Sequence, residues 1–237
     1  MFLWTAGKIE LLRQAGEHTA FYRTLAAAAA PYLSSADHVA DIGCGLGYLS
    51  RELSNYVNHV TAIESDDAAL DVLRQNCPPN VTPLCANAFT YVPEEPFDAM
   101  VFCFFSHISD AAEIAVKRCR KQILVFTKNY PEHRFSAGHH PIEGHGFPSF
   151  CTWLEETGIP YESDSLEVEF GQPFRSLEQA RRFYEFYRQD GDDSLFTDEF
   201  LLHKLISTDD PDFPLCLPHL RQVGFLRINA DEIRKKL

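Results

Sequence analysis

From His38 to Phe126 the chain alternates short runs of β-branched and aromatic residues with helix-forming stretches. His38–Ile42, Val81–Cys85 and Gln122–Phe126 read as strands, as do His59–Glu64 and Phe97–Phe105. Tyr48–Tyr56, Asp66–Gln75 and Asp110–Lys117 read as helices lying between strands. Strands linked through helices can pair in parallel, because a parallel pair needs a long crossover. Phe97–Phe105 is nearly all apolar, the pattern of a strand covered on both faces. The alternation therefore predicts an α/β fold around a parallel sheet.

The flanks read differently. Residues 1–33 are helical in pattern and are closed by Pro31. Beyond the fifth strand, residues 130–148 form a loop rich in His, Gly and Pro, and Ser149–Thr157 is a short helix stopped by Gly158. Leu166–Phe170 alternates strictly, as an edge strand with one solvated face does. Ser176–Gln189 is amphipathic and starts with a capping box, Ser176 with Gln179. An acidic helical stretch runs to about Asp210, and Gln222–Asn229 is a last strand. With no repeat and no low-complexity linker, the expected organisation is a helical N-terminal cap over 1–33 and one domain over 34–237. That domain carries a helical insertion at about 172–215.

Composition narrows the partners. The 237 residues hold 34 acids against 21 Lys and Arg, a formal net charge of −13. A sequence-independent nucleic-acid binder needs a cationic surface, and so does a protein docked on an anionic membrane. Lys8 and Glu10 interrupt the apolar start too early for a signal peptide, and no apolar run is long enough to span a bilayer. The seven cysteines are odd in number and form no CxxC pair, so they are read as reduced thiols of a cytoplasmic protein.

Between the first strand and its helix lies Asp41-Ile-Gly-Cys-Gly-Leu-Gly47. Three glycines permit a tight turn and close backbone approach to a ligand. No Lys-Ser or Lys-Thr follows, so this is not a P-loop. Tyr48 or Ser50 stands where a dinucleotide fingerprint needs glycine or alanine. An acid at the strand end suits a nucleoside that carries a positive charge.

DIGCGLG resembles motif I of the class I S-adenosylmethionine-dependent methyltransferases. Glu64, closing the second strand, matches the family acid that accepts both ribose hydroxyls. Cys85-Ala-Asn87-Ala-Phe89 matches the segment beside the adenine, with Asn87 where the family usually has Asp. Phe97–Phe105 resembles the fourth strand, whose carboxyl end faces the reacting methyl. The resemblance covers roughly residues 35–130. It implies a Rossmann-like sheet of seven strands, order 3-2-1-4-5-7-6 with the seventh antiparallel. Gln222–Asn229 would then lie beside the fifth strand and Leu166–Phe170 at the edge. It also implies S-adenosyl-L-methionine as cofactor, with contacts from Asp41, Gly43, Cys44, Gly45, Gly47, Glu64, Ser65, Asn87, Ala88 and Phe104.

Methyl transfer needs a general base only when the nucleophile holds a proton it cannot lose unaided. Two histidines are candidates. His107 follows the fourth strand in Phe104-Phe105-Ser106-His107, and His140 lies in the loop with His133, Arg134, His139, Glu143 and His145. That loop lacks a helical metal-ligand spacing, so no metal is expected. Phe104–His107 also lacks the Asn/Asp-Pro-aromatic pattern of the nucleic-acid amine methyltransferases, despite a noticeable similarity to the ribosomal-RNA adenine dimethyltransferases over Ala40–Asn87. The aromatic helix with Phe183, Tyr184, Phe186 and Tyr187 reads first as core; with Trp4 and Tyr22 it could form a lid. The expected activity is methyl transfer to a small-molecule acceptor, with no membrane or nucleic-acid partner and a homodimer left open. The rival readings are an RNA or protein methyltransferase, a non-catalytic nucleoside-binding relative and a dinucleotide-dependent oxidoreductase.

Overall fold

A computed structural model describes residues 4–130, 140, 146–188 and 197–237. Helices α1 (Ala6–His18) and α2 (Phe21–Ala29) lead into β1 (His38–Ile42), α3 (Tyr48–Leu53), β2 (His59–Glu64), α4 (Asp67–Gln75) and β3 (Val81–Cys85). Then come β4 (Phe97–Cys103), α5 (Ile108–Ala115), β5 (Cys119–Lys128), α6 (Phe147–Thr157) and β6 (Glu162–Glu169). The rest is β7 (Gln172–Phe174), α7 (Leu177–Phe186), α8 (Asp198–Lys204), β8 (Ile206–Ser207), β9 (Leu215–Leu217), β10 (Leu220–Asn229) and α9 (Ala230–Arg234).

Seven strands form one sheet in the order β3-β2-β1-β4-β5-β10-β6. β1 pairs in parallel with β2 and β4, β2 with β3, and β4 with β5. β10 enters antiparallel beside β5, with Phe225 opposite Phe126. This is the expected sheet, with the last strand inserted inside an edge strand that precedes it in sequence. That edge strand starts earlier than Leu166, at Glu162.

Side chains alternate across the sheet, so each strand feeds two faces. Ala40, Ile42, Met100, Phe102, Ile123 and Val125 pack with Ile108 and Ala112 of α5 and with Phe150 and Leu154 of α6. Val39, Ala62, Ala99, Val101 and Leu124 are buried on the opposite face. Phe97, Phe102, Phe126 and Phe150 are almost wholly enclosed. Each such ring contributes about 1.5–3 kcal/mol by leaving water.

The chain divides into two compact units. The larger comprises Tyr22–Asn129, Gly144–Leu166 and Gln222–Leu237; the smaller comprises Met1–Phe21, Tyr130–Glu143 and Glu167–Arg221. The residue-33 boundary read from sequence thus falls inside the larger unit, which keeps α2. In the smaller unit Leu11, Phe174, Ala180, Phe183, Tyr184, Leu201 and Leu217 form a separate core. There the Gln172 amide donates to the Leu11 carbonyl at 3.1 Å, fastening α1 to β7. Phe183 and Tyr184 are core residues, while Phe186 and Tyr187 remain partly exposed.

Several boundaries differ from the sequence reading for local reasons. α3 stops at Leu53, because Ser54 donates to the Arg51 carbonyl and Asn55 to the Glu52 carbonyl, so side chains close its last turn. α6 starts at Phe147, ahead of Pro148, with Ser149 exchanging hydrogen bonds with Gly146. Among the described residues that follow α7 in the acidic stretch, Asp198–Lys204 is helical. β8 and β9 instead join β7 in a three-stranded sheet, its strands too short to leave an alternating pattern.

Candidate functional site

β1 ends in a turn that only glycine accommodates easily. Gly43, Gly45 and Gly47 have φ of 69°, 55° and 75°, in the left-handed region. Packing adds a second demand at two of them. A Cβ on Gly43 would strike the Phe105 ring, and one on Gly47 would lie 2.7 Å from Leu73 of α4. The Gly43 and Cys44 N–H groups donate to the Ile63 carbonyl at 2.8 and 3.0 Å, tying the turn to β2.

Glu64 braces the turn from the end of β2. Its Oε2 accepts the Gly45 N–H at 3.1 Å. Its Oε1 accepts the Ser65 N–H at 2.7 Å, the Ser65 hydroxyl at 3.1 Å and the Asp66 N–H at 3.1 Å. A carboxylate offers about four lone-pair sites. Oε1 is therefore crowded, whereas Oε2 retains capacity for an incoming donor.

Asp41 is buried below the turn. Ser50 of α3 donates to its Oδ2 at 2.6 Å, and Oδ1 is buried with no hydrogen-bond partner among the described residues. Burial pushes its carboxyl up to about 6; the Ser50 hydrogen bond opposes the rise and the charge of Glu64 adds to it. The Cys44 thiol is pushed well up by burial and then by Asp41 and Glu64, so it stays protonated.

The segments after β3 and β4 complete the constellation. Asn87 is exposed, and its Oδ1 accepts the Phe89 N–H at 2.9 Å. The oxygen expected to meet an adenine amine thus already holds a turn with one lone pair. Arg118 anchors this loop by donating to the carbonyls of Ala88 and Phe89. Phe104 has φ 51°, the single positive value among described non-glycine residues, and its N–H donates to the Phe126 carbonyl at 2.9 Å. An aromatic residue in that conformation stores about 1–2 kcal/mol of strain, a feature that gathers at functional sites.

His107 has a structural task. It caps α5, its Nδ1 accepting the Ser109 N–H at 3.3 Å, while its ring meets Phe150 edge-on at 5.0 Å. An Nδ1 used as acceptor puts the proton of the neutral imidazole on Nε2. His140 is half-buried and belongs to the smaller unit; His133, Arg134, His139, Glu143 and His145 lie outside the described residues. Among the described residues no His, Cys, Asp or Glu group has a metal-holding arrangement. Sequence reasoning missed Ser50, Phe105 and Leu73, whose roles depend on contacts across elements. The turn-to-helix spacing from Asp41 to Ser50 was the one available signal.

Residues 39–123 match a family model described as a methyltransferase domain. The ribosomal RNA small subunit methyltransferase A of Natranaerobius thermophilus is 47% identical over 47 residues, a stretch covering 20% of this chain and 16% of that relative's length. A putative methyltransferase from Bacillus halodurans C-125 superposes with a TM-score of 0.56 at 15% identity, covering 88% of this chain and 98% of that one. The N-methyltransferase NodS from Bradyrhizobium japonicum WM9, in complex with S-adenosyl-L-homocysteine, superposes with a TM-score of 0.52 at 12% identity, covering 95% and 98%. The glycine turn and Glu64 lie inside the matched segment, and the sheet order is that of these structures' fold. Over residues 39–123 the chain is similar to a methyltransferase domain, and its sheet has the Rossmann-like strand order of the methyltransferase fold.

Proposed function

We propose that this chain is an S-adenosylmethionine-dependent methyltransferase whose acceptor is a small molecule. The observation that carries the reading is Asp41, a buried carboxyl with an unpartnered oxygen under a glycine turn that Glu64 braces. S-adenosylmethionine, when bound, supplies an electrophilic methyl on a sulfonium whose positive charge vanishes on transfer. Asp41 favours a cation above the turn, because a nearby positive charge offsets the desolvation of its carboxylate. Gly43, Cys44, Gly45 and Gly47 let the backbone come close to a nucleoside. Glu64 offers Oε2 to ribose hydroxyls, and Ser65 can yield its own place on Oε1. Asn87 and Ala88 border the base, and Phe104 ends β4 so that its carboxyl end stays open.

Catalysis on this reading is positioning of two reactants and exclusion of water, and no side chain is assigned as an obligatory base. The surplus of acids over bases favours a small acceptor over RNA. The likeness to a ribosomal-RNA methyltransferase over 47 residues favours RNA, and that is the second reading. All seven cysteines are free thiols, which fits the cytoplasm. Calorimetry with S-adenosylhomocysteine tests the cofactor. Glu64→Ala should weaken binding about 10- to 100-fold, the worth of hydrogen bonds to a charged group. Binding of NADH in its place would sink the reading. Transfer of labelled methyl from S-adenosylmethionine to a metabolite extract, but not to RNA or protein, is the outcome expected for the acceptor class.

A further inference from the structure

β5 outruns β4. Their last pair joins Cys103 to Phe126, and the Phe104 N–H closes that edge on the Phe126 carbonyl. Thr127 and Lys128 continue, opposite Gly224 and Val223 of β10. Ile42, Phe102 and Val125 lie abreast on β1, β4 and β5. At about 3.3 Å per residue, Lys128 stands about 10 Å beyond that row. It therefore rises past the carboxyl ends of β1 and β4, where ligands lie in open α/β sheets. Alternation puts Lys128 on the face of Leu124 and Phe126, and the register joins Leu124 through Val101 to Asp41.

Lys128 is half-buried, and no carboxylate among the described residues pairs with it. Burial alone accounts for a downward push on its ammonium. Elsewhere in the same unit several cations find anions, and two half-buried ones find other partners: Arg118 donates to the Ala88 and Phe89 carbonyls and Arg51 lies over the Tyr48 ring. Arg74 meets Asp67 and Asp71, Arg120 meets Glu95, Lys121 meets Asp37 and Asp98, and Arg227 meets Glu162. Lys128 is half-sheltered beside the ligand crevice and, among the described residues, has neither a carboxylate nor a ring against its ammonium. A desolvated ammonium is unfavourable until a counter-charge arrives.

We propose that Lys128 recognises the acceptor, and that the molecule methylated at this site carries a carboxylate or phosphate which ion-pairs with the Lys128 ammonium. The inference rests on the methyltransferase reading above and deepens it, because it names the charge class of the substrate. No residue assigned to the cofactor takes part.

The experiment uses the full chain labelled with 13Cε-lysine, saturated with S-adenosylhomocysteine at constant ionic strength. It is titrated separately with inorganic phosphate and with acetate, and Lys128→Met assigns the Lys128 signal. The Lys128 signal should titrate below the other lysines and move up as one of the anions saturates. Lys128→Met should weaken binding of that anion at least tenfold, and Lys128→Arg should keep it. Affinity of Lys128→Met for S-adenosylhomocysteine within about twofold of the parent reports an intact fold. A response to phosphate alone assigns a phosphorylated acceptor, and one to acetate alone a carboxylate. No response of the Lys128 signal to either anion, or equal anion affinity in Lys128→Met, overturns the proposal. Absence of S-adenosylhomocysteine binding by the parent chain would overturn the cofactor reading and is read out separately.

Discussion

Asp41 loses its water at the end of β1, and its carboxyl holds a proton up to about pH 6 instead of the 3.8 of a free side chain. The folded state therefore binds more protons than the unfolded state between those values, and stability falls as pH rises from about 4 to 6. A shift of this size corresponds to about 3 kcal/mol at neutral pH. Asp41→Asn should remove that slope and be more stable than the parent above pH 6 by about 1–3 kcal/mol. The difference in urea midpoints between the two chains, followed from pH 4.5 to 7.5, checks it. On the proposed function the same group should separate two ligands. S-adenosylmethionine carries a sulfonium that the ionised carboxylate favours, and S-adenosylhomocysteine does not. Affinity for the first should fall relative to the second as pH drops below about 6, and calorimetry at pH 5 and 7.5 measures the ratio. Gly43→Ala meets the Phe105 ring in a conformation alanine resists, so it should cost about 1–3 kcal/mol by thermal unfolding.

At the scale of elements, caps carry the testable energetics. The Asp66 carboxylate accepts the Ala68 and Ala69 N–H groups at the start of α4, close to Glu64. Asp66→Ala should cost about 1 kcal/mol in denaturant unfolding, the usual worth of an N-cap. The Ser176 cap was legible because its hydroxyl accepts the Gln179 N–H, but the reciprocal bond goes from the Arg175 N–H to the Gln179 side chain. The five parallel strands were legible for a different reason. Burial on both faces leaves apolar runs such as Phe97–Cys103 in the central strands, and the edge strand β3 is marked instead by its place in the strand–helix alternation. Their order came only from the family resemblance, and the antiparallel entry of β10 agrees with it. β7, β8 and β9 were illegible, since two or three residues cannot express a period of two. At the site, the glycines and Glu64 announced themselves by spacing. Ser50 and Lys128 did not, because what distinguishes them is the presence or absence of a partner distant in sequence.

The whole molecule sets a hierarchy of access. Cys85 is exposed, whereas Cys119 is enclosed, with burial pushing its thiol up to about 12. A thiol reagent at neutral pH should label Cys85 without denaturant and Cys119 only on unfolding, which mass mapping of the labelled chain decides. A ligand that binds only the folded chain adds about 2.7 kcal/mol of stability at a hundredfold excess over its Kd. S-adenosylhomocysteine at that concentration should therefore raise the melting temperature of the parent, and that of Glu64→Ala by about a sixth to a half as much. The sheet order also governs synthesis. β6 leaves the ribosome well before β10, yet β10 is its neighbour in the sheet, and the flank of β5 waits for the same strand. During that interval two strand edges are open to any other nascent chain. Glu162, Asp164, Glu167 and Glu169 put a negative charge at almost every second position of β6. The waiting edge repels its own kind until β10 arrives, when Arg227 pairs with Glu162 and the unfinished sheet is closed.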